Sequence, residues 1–203
     1  MEKSAPAELP ILDMVKRRWS PRAFADRPVE DHKLRCILEA ARWSASSYNE
    51  QPWRWILAKK ADGQPFDTAL SCLAEANQAW AKDAPILLIT FVKTDFDKNG
   101  KPNRVAEHDL GAAMAQLSLQ ATAMGLFVHQ MAGVDLDKVA QTYNPPDNFK
   151  PCTAAAIGYG GQPDSLPEEW MRDAETAERT RLPRTDLVFA DTFGNAHPVM
   201  KLD

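Results

Sequence analysis

The sequence predicts an α+β or α/β sandwich. Helical and strand-like patterns alternate along residues 11–160, and only about four or five segments read as strands. At 203 residues, with 44% hydrophobic and 26% charged content, the length and composition suit one soluble globular domain spanning 1–203.

Ile11, Met14 and Val15 form one apolar edge at helical spacing, which predicts a short helix over 11–18 ending in basic residues. Ser20-Pro21 breaks it, and Pro28 begins a second helix with Leu34, Ile37, Leu38 and Ala41 on one face. The Ser-rich segment 44–52 interrupts the periodicity before a strand, WRWILAKK, at 53–60. Residues 66–80 read as one helix, with Phe66, Leu70 and Leu73 recurring along it. ILLITFV, at 86–92, is the clearest strand in the chain, and a polar loop follows over 93–103.

A long helix is expected over 105–124, with Gly125 at its C′ position. Its apolar positions Leu110, Met114, Leu117, Ala121 and Met124 alternate four and three apart, as in a packing seam. Gly111, Ala112, Ala113, Ala115 and Ser118 keep its flanks small. Strands over 126–134 and 153–160 enclose a helix over 135–143. The Pro-rich, poorly periodic end, 162–203, reads as an extended arm outside the core. An arm that cannot bury itself alone implies a partner chain.

Composition narrows the function. Residues 1–60 carry 12 Lys/Arg against 8 Asp/Glu, whereas the rest carry 12 against 20, for a net charge of −4. The positive excess is local and too small for a nucleic-acid face, which must offset many phosphates. It is concentrated in RRWSPRAF, residues 17–24, where three arginines surround Ser20. A small anion fits that scale better, with Arg17 read as a solvated surface charge. The N-terminus lacks the apolar run of a signal peptide, and no stretch is apolar enough to span a membrane. Cys36, Cys72 and Cys152 are odd in number and widely spaced, which suits a reducing cytoplasm rather than a disulfide framework or a zinc cage.

Several familiar sites are excluded. The four histidines form no HExxH, GxSxG is absent, and GYGGQP places Pro163 where a dinucleotide motif needs its third glycine. No metal site is expected, and His129, on an apolar strand, reads as a satisfied core histidine.

Five segments, taken in order, resemble the nitroreductase family of FMN-dependent oxidoreductases. They are RRWSPRAF, SASSYNEQPWRW at 44–55, DLGAAMAQLSLQATAMGL at 109–126 followed by MAGVD, AAIGYGG, and RTRLPRTDLVF near the end. The resemblance implies a three-layer sandwich with a central, mostly antiparallel sheet, assembled as an intertwined homodimer with noncovalent FMN at the subunit interface. It further implies NAD(P)H as electron donor, a small-molecule acceptor such as a nitroaromatic, quinone or activated alkene, and a ping-pong mechanism. The alternatives are a specialised member reducing one unsaturated metabolite, or a flavin-binding or sensing protein without useful turnover.

The residues follow from the same resemblance. Arg18, Ser20, Arg22, Arg179 and Arg181 would hold the phosphate, whose three oxygens call for several cationic and hydroxyl donors. Arg179 and Arg181, two apart in an extended segment, would point the same way. Trp19 stands where the family often has a basic residue, exchanging a donor for an aromatic wall. Asn49, whose amide both donates and accepts, suits the pyrimidine edge of a flavin. Ser46 and Ser47 offer small polar positions beside it, and Gln51 orders the loop. Met131, Ala132 and Gly133 form the turn beside flavin N5, where the Ala132 N–H would point. No side chain is expected to act as a nucleophile. Ala45 replaces the family's usual proline.

Overall fold

The structure, a computed structural model, describes residues 3–200. Its centre is a four-stranded sheet of β1 (Trp53–Lys59), β2 (Ile86–Lys93), β3 (Phe127–Met131) and β4 (Phe149–Gly158), in the order β1-β2-β4-β3. Every neighbouring pair is antiparallel. The α+β class and the antiparallel sheet are therefore as expected.

Strand alternation explains the layers. On β2, Leu87, Ile89 and Phe91 face one side and Ile86, Leu88 and Val92 the other, and all six are buried. The second side is covered by α2 (Asp31–Arg42), through Leu34, Ile37 and Ala41, and by α5 (Ala106–Ala123), through Leu110, Met114 and Leu117. The first side packs against α3 (Gln64–Ser71), α4 (Glu75–Ala81) and α6 (Leu136–Tyr143), through Phe66, Trp80 and Val139. α5 ends as its sequence demands. Gly125 adopts φ +75°, the Leu126 N–H reaches the Ala121 carbonyl at 2.8 Å and the Gly125 N–H reaches that of Thr122 at 3.1 Å, which is a Schellman closure.

Three expectations need correction. The helix expected over 66–80 is two helices, because the backbone between them pairs elsewhere. Leu73 bridges Val134, the Ala74 N–H donates to the Gly133 carbonyl and the Asp135 N–H to that of Cys72. A helix cannot keep its own ladder while lending those groups to a neighbour. The first helix, α1, covers only Asp13–Arg17 and buries none of its residues. The arm is not wholly outside the core either. It contains α7 (Glu169–Thr176), and Leu166 and Met171 are buried in the first layer. Beyond α7, Leu182, Leu187 and Phe193 are exposed. The last three residues of the expected arm lie outside the described residues.

The GYGGQP segment has a structural role. A Cβ at Gly161 would stand 2.7 Å from the carbonyl carbon and oxygen of Phe24, whose backbone bridges Gly160. The Gly161 N–H also donates to Ala23. Backbone cannot yield as a flexible side chain can. Gly161→Ala is therefore expected to destabilise the protein by about 1–3 kcal/mol, as overpacking does. Urea unfolding measures this, and an unchanged midpoint would contradict the close approach.

Candidate functional site

The RRWSPRAF segment leaves α1 and crosses toward the end of β4, so Arg18 emerges where the arm returns. Arg18, Arg179 and Arg181 line one open groove of about 710 Å³, together with Ile11, Val15 and Leu182. Among the described residues no carboxylate pairs with any of the three. The carboxylate that lines the groove, Glu8, is taken by Arg184 at 3.1 Å. Burial, with the Arg181 charge added, lowers the pKa of Arg18 from its ordinary value. Burial, then Arg18 and Arg181, lowers that of Arg179. Like charges are thus concentrated without a counterion, an arrangement suited to an anion.

Neutral groups fix their positions. Arg179 donates to the carbonyls of Lys3 at 2.9 Å and Lys16 at 2.6 Å. Arg18 reaches the Ser20 hydroxyl at 3.4 Å, and Arg181 donates to the Thr180 carbonyl. Arg22 and Trp19 do not line the groove. The Arg22 guanidinium lies over the Trp170 ring at 5.2 Å. Trp19 is buried edge-on to Phe127, with Lys3 over its ring and its indole N–H unpartnered, so it is no wall of the groove.

The turn through residues 19–23 is held from both sides. His129, on β3, bonds the Pro21 carbonyl through Nδ1 at 2.9 Å, and its ring lies 4.5 Å from that of Trp80. Burial lowers its pKa to about 4, so the ring is neutral near pH 7. Glu175, on α7, is only 2% exposed and accepts the Arg22 N–H at 2.6 Å.

Ser46–Gln51 forms a second exposed feature. Tyr48, Asn49 and Gln51 have φ of +53°, +58° and +48°, a region that costs a non-glycine residue about 1–2 kcal/mol. Side chains hold this backbone. The Gln51 N–H donates to the Ser46 hydroxyl, the Gln51 amide to the Asn49 carbonyl, and the Ser47 N–H to buried Asp109 at 3.0 Å. The Asn49 side chain is exposed and makes no hydrogen bond within the described residues. Strain of this kind collects at ligand sites.

The third segment follows β3. Met131 is buried and Ala132 exposed, and a Cβ at Gly133 would stand 2.6 Å from the Asn77 amide nitrogen. Asn77 donates to the Gly133 carbonyl, so a Cβ here would displace that side chain, while the glycine's φ is not positive. Neither 46–51 nor 131–133 lines the arginine groove. One chain brings Arg18, Arg179 and Arg181 together in the groove, with Ser20 joined to it through Arg18, and the other segments lie outside the groove's lining.

Two residues were missed by the sequence reasoning. Asp109 lies in the first turn of the small-residue helix, where its buried carboxylate holds the Ser47 loop. Glu175 lies four residues after Met171, so both fall on the buried face of α7. That spacing was visible inside the expected arm.

Residues 15–159 match the family model described as the nitroreductase family. A solved structure described as an oxidoreductase containing FMN is 33% identical, with TM-score 0.87, covering 94% of this chain and 96% of that one. A nitroreductase family protein from Clostridium difficile 630 is 26% identical, with TM-score 0.68, covering 91% and 100%. A Ralstonia nicotianae protein provisionally named an NADH dehydrogenase/NAD(P)H nitroreductase is 27% identical over 156 residues, 68% of this chain and 78% of its own.

The neutral state of His129 gives a pH dependence with a definite sign. Its pKa is depressed on folding, from 6.5 to about 4, so the unfolded chain takes up its proton first. The stability this group contributes is present above pH 6.5 and is lost as the pH falls toward 4. His129→Phe is expected to lose less stability than wild type across that window, read by urea unfolding at each pH. An identical decline would show that His129 does not titrate there.

Proposed function

The chain belongs to the nitroreductase family, and on that premise we propose that it is an FMN-dependent oxidoreductase. It would pass electrons from NAD(P)H to electron-poor acceptors such as nitroaromatics, quinones or activated alkenes. The observation that carries this reading is the groove where Arg18, Arg179 and Arg181 converge without a carboxylate partner. A phosphate monoester brings close to two negative charges and three strong acceptor oxygens, which matches this donor set together with the Ser20 hydroxyl. The likeness to an oxidoreductase containing FMN and the donor named for the Ralstonia relative support the same cofactor and donor.

FMN, when bound, supplies the redox chemistry, and the protein supplies orientation and electrostatics. In this reading Arg18, Ser20, Arg179 and Arg181 anchor the phosphate, while the Arg22 side chain stays over Trp170. The exposed Asn49 amide, with Ser46 and Ser47, faces the flavin ring of the other subunit. Met131, Ala132 and Gly133 border the ring on their own subunit. Donor and acceptor then use one open face in turn, because transfer at about 3–3.5 Å leaves no room for both. A homodimer is supported by the absence of these segments from the groove's lining and by exposed apolar side chains on α1 and the arm, among them Met14, Leu182 and Phe193.

Flavin released by heat should be FMN on chromatography. Arg181→Ala should weaken FMN binding about 10- to 100-fold, the loss of one charge-assisted hydrogen bond, while turnover at saturating FMN is largely kept. Double-reciprocal plots at several acceptor concentrations should be parallel. FAD in the protein, failure to take up FMN, or intersecting lines would contradict the corresponding part of the reading.

A further inference from the structure

Glu175 is a buried carboxylate without a carboxylate's usual partner. Its two cationic neighbours are occupied elsewhere. Lys3 donates to the backbone carbonyls of Ala174 and Glu175 at 3.0 and 2.9 Å, and the Arg22 guanidinium stacks over Trp170. What Glu175 accepts are backbone N–H groups, from Arg22 at 2.6 Å and from Ala23. Burial, the largest influence, pushes its pKa up, against the opposing pull of those two N–H groups. An apolar residue beside Met171 would join the core at no such cost. A carboxylate thus stands at a place where packing alone does not call for one.

Its position accounts for this. α7 ends at Thr176, three residues before Arg179, and the N–H groups that Glu175 accepts come two and three residues after Ser20. One side chain therefore ties the turn that carries Arg18 and Ser20 to the helix that leads into Arg179 and Arg181. These arginines repel one another and none of the three is paired with a carboxylate among the described residues, so their mutual interaction does not hold the two segments together. Arg179 adds a second tie through the Lys3 and Lys16 carbonyls, and His129 a third through Pro21. Of the three, Glu175 alone holds the N–H side of the turn.

We propose that Glu175 is a positioning residue of the anion site, setting the register between its N-terminal and C-terminal arginines. The inference rests on the reading of the groove as the FMN phosphate site. Its electrostatic and mechanical effects have opposite signs, which makes it testable. As a mere negative charge near the groove, Glu175 would weaken anion binding, and its neutralisation would tighten FMN. As a positioning residue it strengthens binding, and its loss weakens FMN.

The experiment titrates flavin-free, full-length protein with FMN and with riboflavin, following the quenching of flavin fluorescence. Wild type, Glu175→Gln and Glu175→Asp are compared, with folding checked by far-UV circular dichroism. Glu175→Gln removes the charge. Glu175→Asp keeps the charge and withdraws the acceptor by one methylene, so either folded variant decides the matter. The expected result is FMN affinity reduced about tenfold or more in both variants, with riboflavin affinity unchanged. The preference for FMN over riboflavin then shrinks by the same factor. Unchanged or tighter FMN binding in a folded variant overturns the proposal. So does an equal loss for both flavins, which would mark general loosening. Wild type that fails to bind FMN overturns the functional reading and this inference with it, whereas normal wild-type binding with unaffected variants overturns the inference alone.

Discussion

Four arginines line one groove, and the surrounding structure supplies Arg18, Arg179 and Arg181 with neutral partners instead of counterions. Arg179 is held by backbone carbonyls, Arg18 by a hydroxyl, and the one carboxylate lining the groove is engaged by Arg184. Pairing any of them with an acid would relieve the repulsion and cancel the site. The positive charge is thus kept open because the nearby acids bond something else, Glu8 to Arg184, which also lines the groove, and Glu175 to backbone. Such preorganisation lets an anion bind without first breaking ion pairs.

The sandwich does the holding. A sheet buried on both faces fixes the ends of β3 and β4, and the turn through residues 19–23 packs against them. His129 reaches from β3 to the turn after α1, and Phe24 and Gly161 press that turn onto the end of β4. Across the sheet, Asp109 at the start of α5 holds the Ser46–Gln51 loop in a backbone conformation it would not choose. Stability in the layers offsets strain and charge repulsion at the edges. The exposed apolar residues of α1 and the arm lie beside the same groove.

Much of this was legible in the residues. The largely apolar run of β2, the Gly125 helix end and the seam of α5 each follow from a local rule, and each appears where that rule puts it. That Arg18, Arg179 and Arg181 come together was legible only through their order along the chain with other segments, since charge alone does not distinguish Arg18, which lines the groove, from Arg22, which stacks on Trp170. What was not legible depended on pairing between distant segments. Leu73 interrupts a helical pattern because Val134, 61 positions away, takes up its backbone. The spacing of Glu175 from Met171 places it on one helix face, but its partner, the Arg22 N–H 153 positions away, emerges only when the turn is folded against it.

The central claim is that the arginine groove is an anion site held open by its neutral partners, and binding of a bare anion tests it most directly. Flavin-free protein would be heated in rising inorganic phosphate at constant ionic strength, alongside Arg18→Ala, with chloride as the control. A ligand that binds only the folded chain raises its melting temperature by mass action. The account predicts a phosphate-dependent rise in wild type that chloride does not reproduce and that Arg18→Ala largely removes. A melting temperature indifferent to phosphate, or a rise equal in the variant, would contradict it.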